Sequence, residues 1–529
     1  MKPKSLSVVV LAVAGAVIPL AAAIKQPVKV EGGMVSGVPG KDASVTTFKG
    51  VPFAAPPVGN LRWREPQPVV AWLGVRQADK FSASCIQNIV AEHKPWTYEF
   101  MTHTGISEDC LYLNVYTAAK SATEKRPVYV FIHGGGFTEG SGAVPVYDGE
   151  GLAKKGLVVV TINYRLGVLG LMAHPELSQE SGHHVSGNYG LLDQIAALRW
   201  VHENIGRFGG DVSRVTIAGQ SAGAMSVHDL TASPLAKGLF QRAIAESGGS
   251  SIGGVGLANN TGALAAAEAN GQRFADAKGA KSVAELRALS WQKIVEPVQS
   301  ADAGRGGGRF SVIVDGYVLP ASPMDAIVQG KQNDVVTLTG SNLGELGGIN
   351  GLRAAVTAQA FQDQARQRYG EAADQFLKLY PAATEEQAAM AQSQSARDQA
   401  LVALYLWANA RSKTAKTRAY EYLWDHTLPG PDAAQYGAFH TSEVPYVLNT
   451  LDMSDRPFTD ADRKIAGMMS SYWANFAATG DPNGKGLPLW PAVGEKREIM
   501  EVGDNTGPIP LAGSPAKIEF FETFLTKPR

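Results

Sequence analysis

Four short apolar runs constrain this chain more than any other feature. Residues 128–132 (VYVFI), 157–162 (LVVVTI), 215–218 (VTIA) and 335–338 (VVTL) are rich in β-branched side chains and do not alternate with polar ones. A strand with one wet face alternates, whereas a strand without alternation is covered on both faces, as in a parallel sheet between helices. Helix-compatible stretches lie between the runs. Within residues 191–204, Leu192, Ile195, Ala196, Leu198 and Val201 recur at helical spacing. Strand–helix alternation predicts an α/β fold with a large, mostly parallel central sheet covered by helices.

At about 150 residues per domain, 529 residues would divide into three or four. The segments that invite a boundary do not support one. Residues 247–256 are rich in Gly and Ser, and residues 301–308 contain Gly304-Arg305-Gly306-Gly307-Gly308. Both are short, strand-like segments continue after them, and they read as loops. The helix-rich stretch 354–414 reads as an insertion packed on the sheet. Residues 24–529 are therefore expected to form a single domain. Residues 1–23 are expected not to belong to it. Lys2 and Lys4 precede an apolar stretch of about 15 residues ending at Leu20, and Ala21-Ala22-Ala23 supplies a small-residue cleavage site. This is the pattern of a signal peptide, too short for a membrane span of roughly 20 residues. An exported protein, periplasmic or secreted, with no stable membrane span after cleavage, is the expectation.

With a formal net charge of -1, no basic excess points to nucleic acid or to anionic membranes. A small, largely uncharged substrate is left as the default partner, and no oligomeric state is specified. The only two cysteines, Cys85 and Cys110, lie where oxidation is possible. A bond between them would be worth about 3 kcal/mol in the chain-entropy model. Neither has the spacing of a metal ligand, so no metal site and no cofactor are expected.

The chemistry begins at Gly219-Gln220-Ser221-Ala222-Gly223. An apolar strand runs into this G-x-S-x-G motif and a helix-compatible stretch leaves it. At such a turn the serine is held strained and exposed, small neighbours avoid a clash, and the helix N-terminus favours developing negative charge. Ser221 is the candidate nucleophile. His133-Gly134-Gly135-Gly136-Phe137 follows another strand. Such a glycine turn presents N–H groups to a cavity, so Gly135, Gly136 and Ala222 are the candidate oxyanion donors. His133 precedes the serine and is expected to be structural.

A serine hydroxyl needs a base and an acid that orients the base. Of the histidines after Ser221, His228 lies seven residues on in the same helix, about 10 Å along its axis and too far to serve. His426 has Asp425 beside it, but consecutive side chains diverge. His440 sits in the small-residue loop 437–443, and pattern favours it. For the acid, Asp315 and Glu345 both follow strand-like runs, and the residues alone leave the two open.

These motifs resemble the type-B carboxylesterase/lipase family, which includes the cholinesterases. Phe208-Gly209-Gly210-Asp211 through Gly219-Gln220-Ser221-Ala222-Gly223 resembles its serine signature, and Glu108-Asp109-Cys110-Leu111-Tyr112-Leu113-Asn114-Val115 its second signature. Residues 49–54, 163–167, 187–194, 480–483 and 490–491 match as well, so the resemblance spans nearly the whole chain after residue 23. It implies one α/β-hydrolase domain and an exchange of acyl groups through Ser221, with Glu345 as acid and His440 as base. It also implies a Cys85–Cys110 disulfide near the site entrance and a supporting role for Ser247. The sequence departs from the pattern in three places. Gln220 stands where many members have Glu, which removes a negative charge from the pocket floor and favours a neutral ester. Two cysteines form fewer disulfides than many members carry. Thr117-Ala118 replaces a usual proline. The implied activity is hydrolysis of neutral small or medium-size carboxylic esters. The rival expectations are a lipase on longer-chain lipid esters and a non-catalytic binding module on the same fold. Trp96, Tyr98 and Phe100, between the cysteines, are candidates either to line an entrance or to pack as ordinary core.

Overall fold

The computed structural model describes residues 24–89, 92–248, 264–297, 310–345 and 357–526. The expected signal peptide and most of both glycine-rich segments lie outside the described residues. An eleven-stranded sheet organises the rest. Its strands are β1 (Val38–Pro39), β2 (Thr46–Pro52), β3 (Tyr112–Thr117), β4 (Arg126–Ile132), β5 (Val158–Ile162), β6 (Gly210–Gln220), β7 (Arg242–Glu246), β8 (Val336–Asn342), β9 (Ala419–Trp424), β10 (Glu498–Val502) and β11 (Gly507–Pro510). The spatial order is β11-β10-β9-β8-β7-β6-β4-β5-β3-β2-β1. From β5 through β10 every pairing is parallel. Antiparallel strands flank this centre, β1 to β3 on one side and β11 on the other, so the sheet is mixed at its edges. A separate three-stranded sheet joins Val28–Val30, Gly33–Ser36 and Val75–Gln77.

The non-alternating runs are buried on both faces. In β4, Val128, Val130 and Ile132 belong to one apolar cluster, while Tyr129 and Phe131 belong to the other. Helix α1 (Tyr189–Asn204) and helix α2 (Ala222–Ala232) pack on the first face. The insertion, with helix α3 (Glu385–Ser412), sets Phe376 and Val402 against Leu423 of β9 and Ile499 of β10. Helix α4 (Asp460–Thr479) covers the second face through Met469, Trp473 and Phe476.

One boundary differs from the sequence expectation. The run at 335–338 extends as strand to Asn342, because Thr339 to Asn342 stay in register with β9 despite their polar side chains. Gly340 is needed there, since a side chain would collide with the Tyr422 ring.

The parallel register brings the carboxyl ends of the strands level. Ile132 lies opposite Gly219, Gln220 opposite Glu246, and Asn342 opposite Trp424. From β4 the chain passes to β5 on one side and then returns to β6 on the other. Loops leaving β4 and β6 therefore diverge and open a crevice at the carboxyl edge, where ligands of open α/β sheets bind.

Candidate active site

Ser221 stands at the mouth of that crevice. Its backbone, at φ 58° and ψ -122°, lies in a region that costs a non-glycine residue of order 1–3 kcal/mol. The turn is held by the Ser221 N–H, which donates to the Glu246 carbonyl at 2.8 Å, and by Met225 N–H, which donates back to Ser221 at 2.9 Å. Gly219 and Gly223 make the turn possible. A Cβ on Gly219 would come within 2.5 Å of the Gly223 backbone, and one on Gly223 would meet the Ile132 carbonyl.

The loop after β4 folds over this turn. Gly135 and Gly136 adopt φ of 101° and 60°. Among the described residues, the N–H groups of Gly135, Gly136 and Ala222 make no hydrogen bond. Gln87 clamps the far end of the loop, accepting from Gly140 N–H at 2.9 Å and donating to Gly140 O at 2.8 Å. Two residues before Gln87, Cys85 forms a disulfide with Cys110. His133 is buried and stacks on Tyr164, whose hydroxyl donates to the His133 carbonyl at 2.8 Å. Burial lowers its imidazole to about 4, so His133 is neutral.

His440 comes to the same place from the connection after β9. Its Nδ1 donates to Glu345 Oε2 at 2.5 Å. Its Nε2 accepts from the Gln220 side-chain amide at 3.3 Å. Burial alone would lower the imidazole, but the Glu345 charge and hydrogen bond override it, and Glu443 adds to them, so His440 lies above its ordinary value. Burial alone would raise Glu345, but His440 and the donors around it outweigh that, and its carboxyl lies below its ordinary value. Glu345 Oε1 accepts from Asn342 N–H at 2.8 Å and Ser341 Oγ at 3.0 Å.

Beneath His440 sits a second, buried acidic layer that the sequence did not bring forward. Asn342 Nδ2 donates to Glu443 at 2.5 Å and to the Phe439 carbonyl at 2.8 Å, tying the end of β8 to the His440 loop. Ser247, at φ 57°, donates to Glu443 at 3.5 Å. Burial, with Glu246 and Glu345 nearby, pushes Glu443 up to about 8. Burial does the same to Glu246, which accepts from Trp473 Nε1 at 2.7 Å. The only signal in the sequence was their place at the end of a strand or three past a histidine, which many structural carboxylates share.

The other candidates lie elsewhere. Asp315 accepts from the Asn188 amide at 2.9 Å and from the N–H groups of Tyr317 and Leu319, which closes its own turn. His228 is buried edge-on against Trp407. His426 is held by Asp504 and Asp462 rather than by Asp425.

Ser221, His440, Gln220 and the Gly134–Gly136 loop line one pocket of about 280 Å³. Trp96, Phe100 and Tyr147 complete its apolar wall. Tyr98 is not part of it; its side chain is exposed and stacks on His103. A larger cavity, of about 670 Å³, runs past Tyr98, Glu99 and Phe439. It presents no serine–histidine pair and is separated from the pocket by Trp96 and Phe100 packed on Phe439.

A strained serine at a strand-to-helix turn, on a mixed sheet with its loops at the carboxyl edge, defines the α/β-hydrolase class. The Carboxylesterase family's sequence model matches residues 25–520. The chain is 36% identical to the Fumonisin B1 esterase of Sphingopyxis macrogoltabida over 511 residues, covering 93% of this chain and 89% of that protein. It is 34% identical to the Cocaine esterase of Homo sapiens over 493 residues, covering 89% and 86%. Among solved structures it resembles a PNB esterase with a TM-score of 0.76 and 30% identity, covering 95% of this chain and 99% of that one. The chain belongs to the carboxylesterase family, and its activity is that of a serine carboxylesterase.

Proposed function

We propose that the protein hydrolyses neutral, small to medium-size carboxylic esters through a Ser221–His440–Glu345 triad and a covalent acyl-enzyme. The observation that carries this reading is His440. Its Nδ1 is engaged by Glu345, while its Nε2 is directed to the turn that holds Ser221. In this structure the Nε2 lone pair accepts from the amide of Gln220, the residue before Ser221, and the proposed reaction needs it to pass from that long contact to the Ser221 hydroxyl.

In the first step His440 Nε2 takes the Ser221 proton as Oγ attacks the ester carbonyl. The N–H groups of Gly135, Gly136 and Ala222 stabilise the oxyanion. One such donor is typically worth about 3 kcal/mol. The imidazolium then protonates the departing alcohol. Water, activated by the same imidazole, cleaves the acyl-enzyme and releases the acid. Glu345 holds the tautomer with the proton on Nδ1, and Ser247 supports the layer beneath.

A pocket of about 280 Å³ suits a small or medium ester. Gln220 leaves its floor uncharged. The human relative is named a cocaine esterase, and a duck relative, 34% identical over 492 residues, a medium-chain fatty acyl-CoA hydrolase. We further infer that residues 24–529 work as one α/β-hydrolase unit, because one sheet draws strands from Val38 through Pro510. Export after removal of residues 1–23 is supported by the Cys85–Cys110 disulfide. Among the described residues no helix is long and apolar enough to cross a membrane.

Ser221→Ala is expected to lower kcat by about 10⁴-fold or more on an ester panel, and to abolish stoichiometric labelling by an organophosphate. Hydrolysis at a near-normal rate by this variant would overturn the assignment.

A further inference from the structure

The oxyanion loop carries one residue that the reaction above does not use. Glu139 lies just past Gly136, and its side chain lines the same pocket as Ser221 and His440. Its backbone is fixed on both sides. Glu139 N–H donates to the Gly135 carbonyl at 3.1 Å, and the next residue, Gly140, is clamped by Gln87. These bonds fix where the side chain leaves the backbone. Among the described residues its carboxylate makes no hydrogen bond and no ion pair. His93 and Tyr147 are its charge neighbours, and His440 lines the same pocket. Lys and Arg are absent from the described pocket lining. Burial raises the Glu139 carboxyl above its ordinary value and His93 opposes that rise. Once ionised, with no Lys or Arg in the described lining, it adds negative charge to the pocket, and an enclosed, low-dielectric wall strengthens that field.

We propose that Glu139 is a charge filter: it excludes esters bearing a carboxylate, sulfonate or phosphate near the scissile bond and so confines the enzyme to esters without a negative charge. The filter rests on the esterase reading above and assigns its selectivity to a single side chain. Two like charges roughly 8 Å apart, at an effective dielectric of about 20 to 40, disfavour binding by about 5- to 30-fold.

The test compares matched esters of one alcohol, a pentanoate and a 4-sulfobutanoate, whose sulfonate stays charged at every working pH. A second pair carries the charge on the alcohol. The quantity read is the neutral-to-anionic ratio of kcat/KM at pH 8, in which any general effect of a variant on the catalytic machinery cancels. The wild type should favour the neutral ester by about 10-fold or more in at least one pair. In that pair Glu139→Gln should lower the ratio by about 10-fold, Glu139→Lys should lower it further, and added salt should weaken the preference. The proposal is overturned if the wild type shows no preference in either pair, or if the ratio stays within about two-fold of wild type in both variants. If the wild type hydrolyses none of the esters, the esterase reading fails first and takes the filter with it.

Discussion

Two histidines follow β9 in the same connection, and both rest against carboxylates. His426 has Asp504 at 2.6 Å from Nδ1 and Asp462 at 2.9 Å from Nε2. Asp462 is also the acidic member of the capping box that starts α4, and it accepts from the Tyr446 hydroxyl at 2.7 Å. His426 is thus a clamp between the start of α4 and the loop after β10. His440 has a carboxylate on one nitrogen only, and its other nitrogen faces the pocket. What separates the proposed base from the other histidine is the number of its acidic partners. Both nitrogens of His426 are occupied by carboxylates, and the ring is not in the lining of the pocket that holds Ser221.

The sharpest way to break this comparison is to remove each ring in turn. His440→Gln is expected to lower kcat/KM by about 10⁴-fold on a neutral ester. His426→Gln should leave kcat/KM within about three-fold while lowering the thermal midpoint, because it removes a hydrogen bond to each of the carboxylates Asp462 and Asp504, at about 0.5–1.5 kcal/mol each. Similar losses of rate in the two variants would erase the distinction.

The next largest effect concerns the acid. Glu345→Gln should lower kcat by about 10³- to 10⁴-fold, whereas Asp315→Asn should act on stability and leave the rate largely intact. The pH profile sharpens the same point. Glu345 holds His440 above 6.5, so wild-type kcat/KM should rise with pH through a midpoint above that value as the imidazole loses its proton. The residual activity of Glu345→Gln should show that limb at lower pH. A limb that stays in place would detach Glu345 from the base.

The smallest effect belongs to the buried layer. Glu246 titrates near 4.5 when unfolded and about 8 when folded. Between these values the folded protein keeps a proton that the unfolded chain has released, so stability falls as pH rises through this window and levels off above it. Glu246→Gln removes that slope. Its thermal midpoint, relative to wild type, should be about 2 °C higher at pH 8 than at pH 5. A constant difference at both pH values would show that Glu246 does not titrate there.

Much of this was legible in local pattern. Non-alternating runs predict strands covered on both faces, and β4 and β6 are buried so. The glycines around Ser221 and after Ile132 mark places where a side chain would collide or where φ is positive. The proposed acid was not legible in the same way. Asp315 and Glu345 each follow a strand-like run, and no local feature of the residues around them separates their surroundings. Nor did composition reveal Glu139, because a glutamate in a loop is ordinarily solvated.

The sequence by itself determined the α/β class and the two turns at its centre, since both follow from contacts within a few residues. The tertiary structure decided the rest. It aligned Asn342 with Trp424 and so brought the β8 end to the loop of His440, nearly a hundred residues away. It gave His426 two acids and His440 one. It placed Glu139 in the wall of the pocket that Ser221 lines. These are outcomes of strand register and loop packing over long separations, and a side chain's neighbours at that range are set by the fold as a whole.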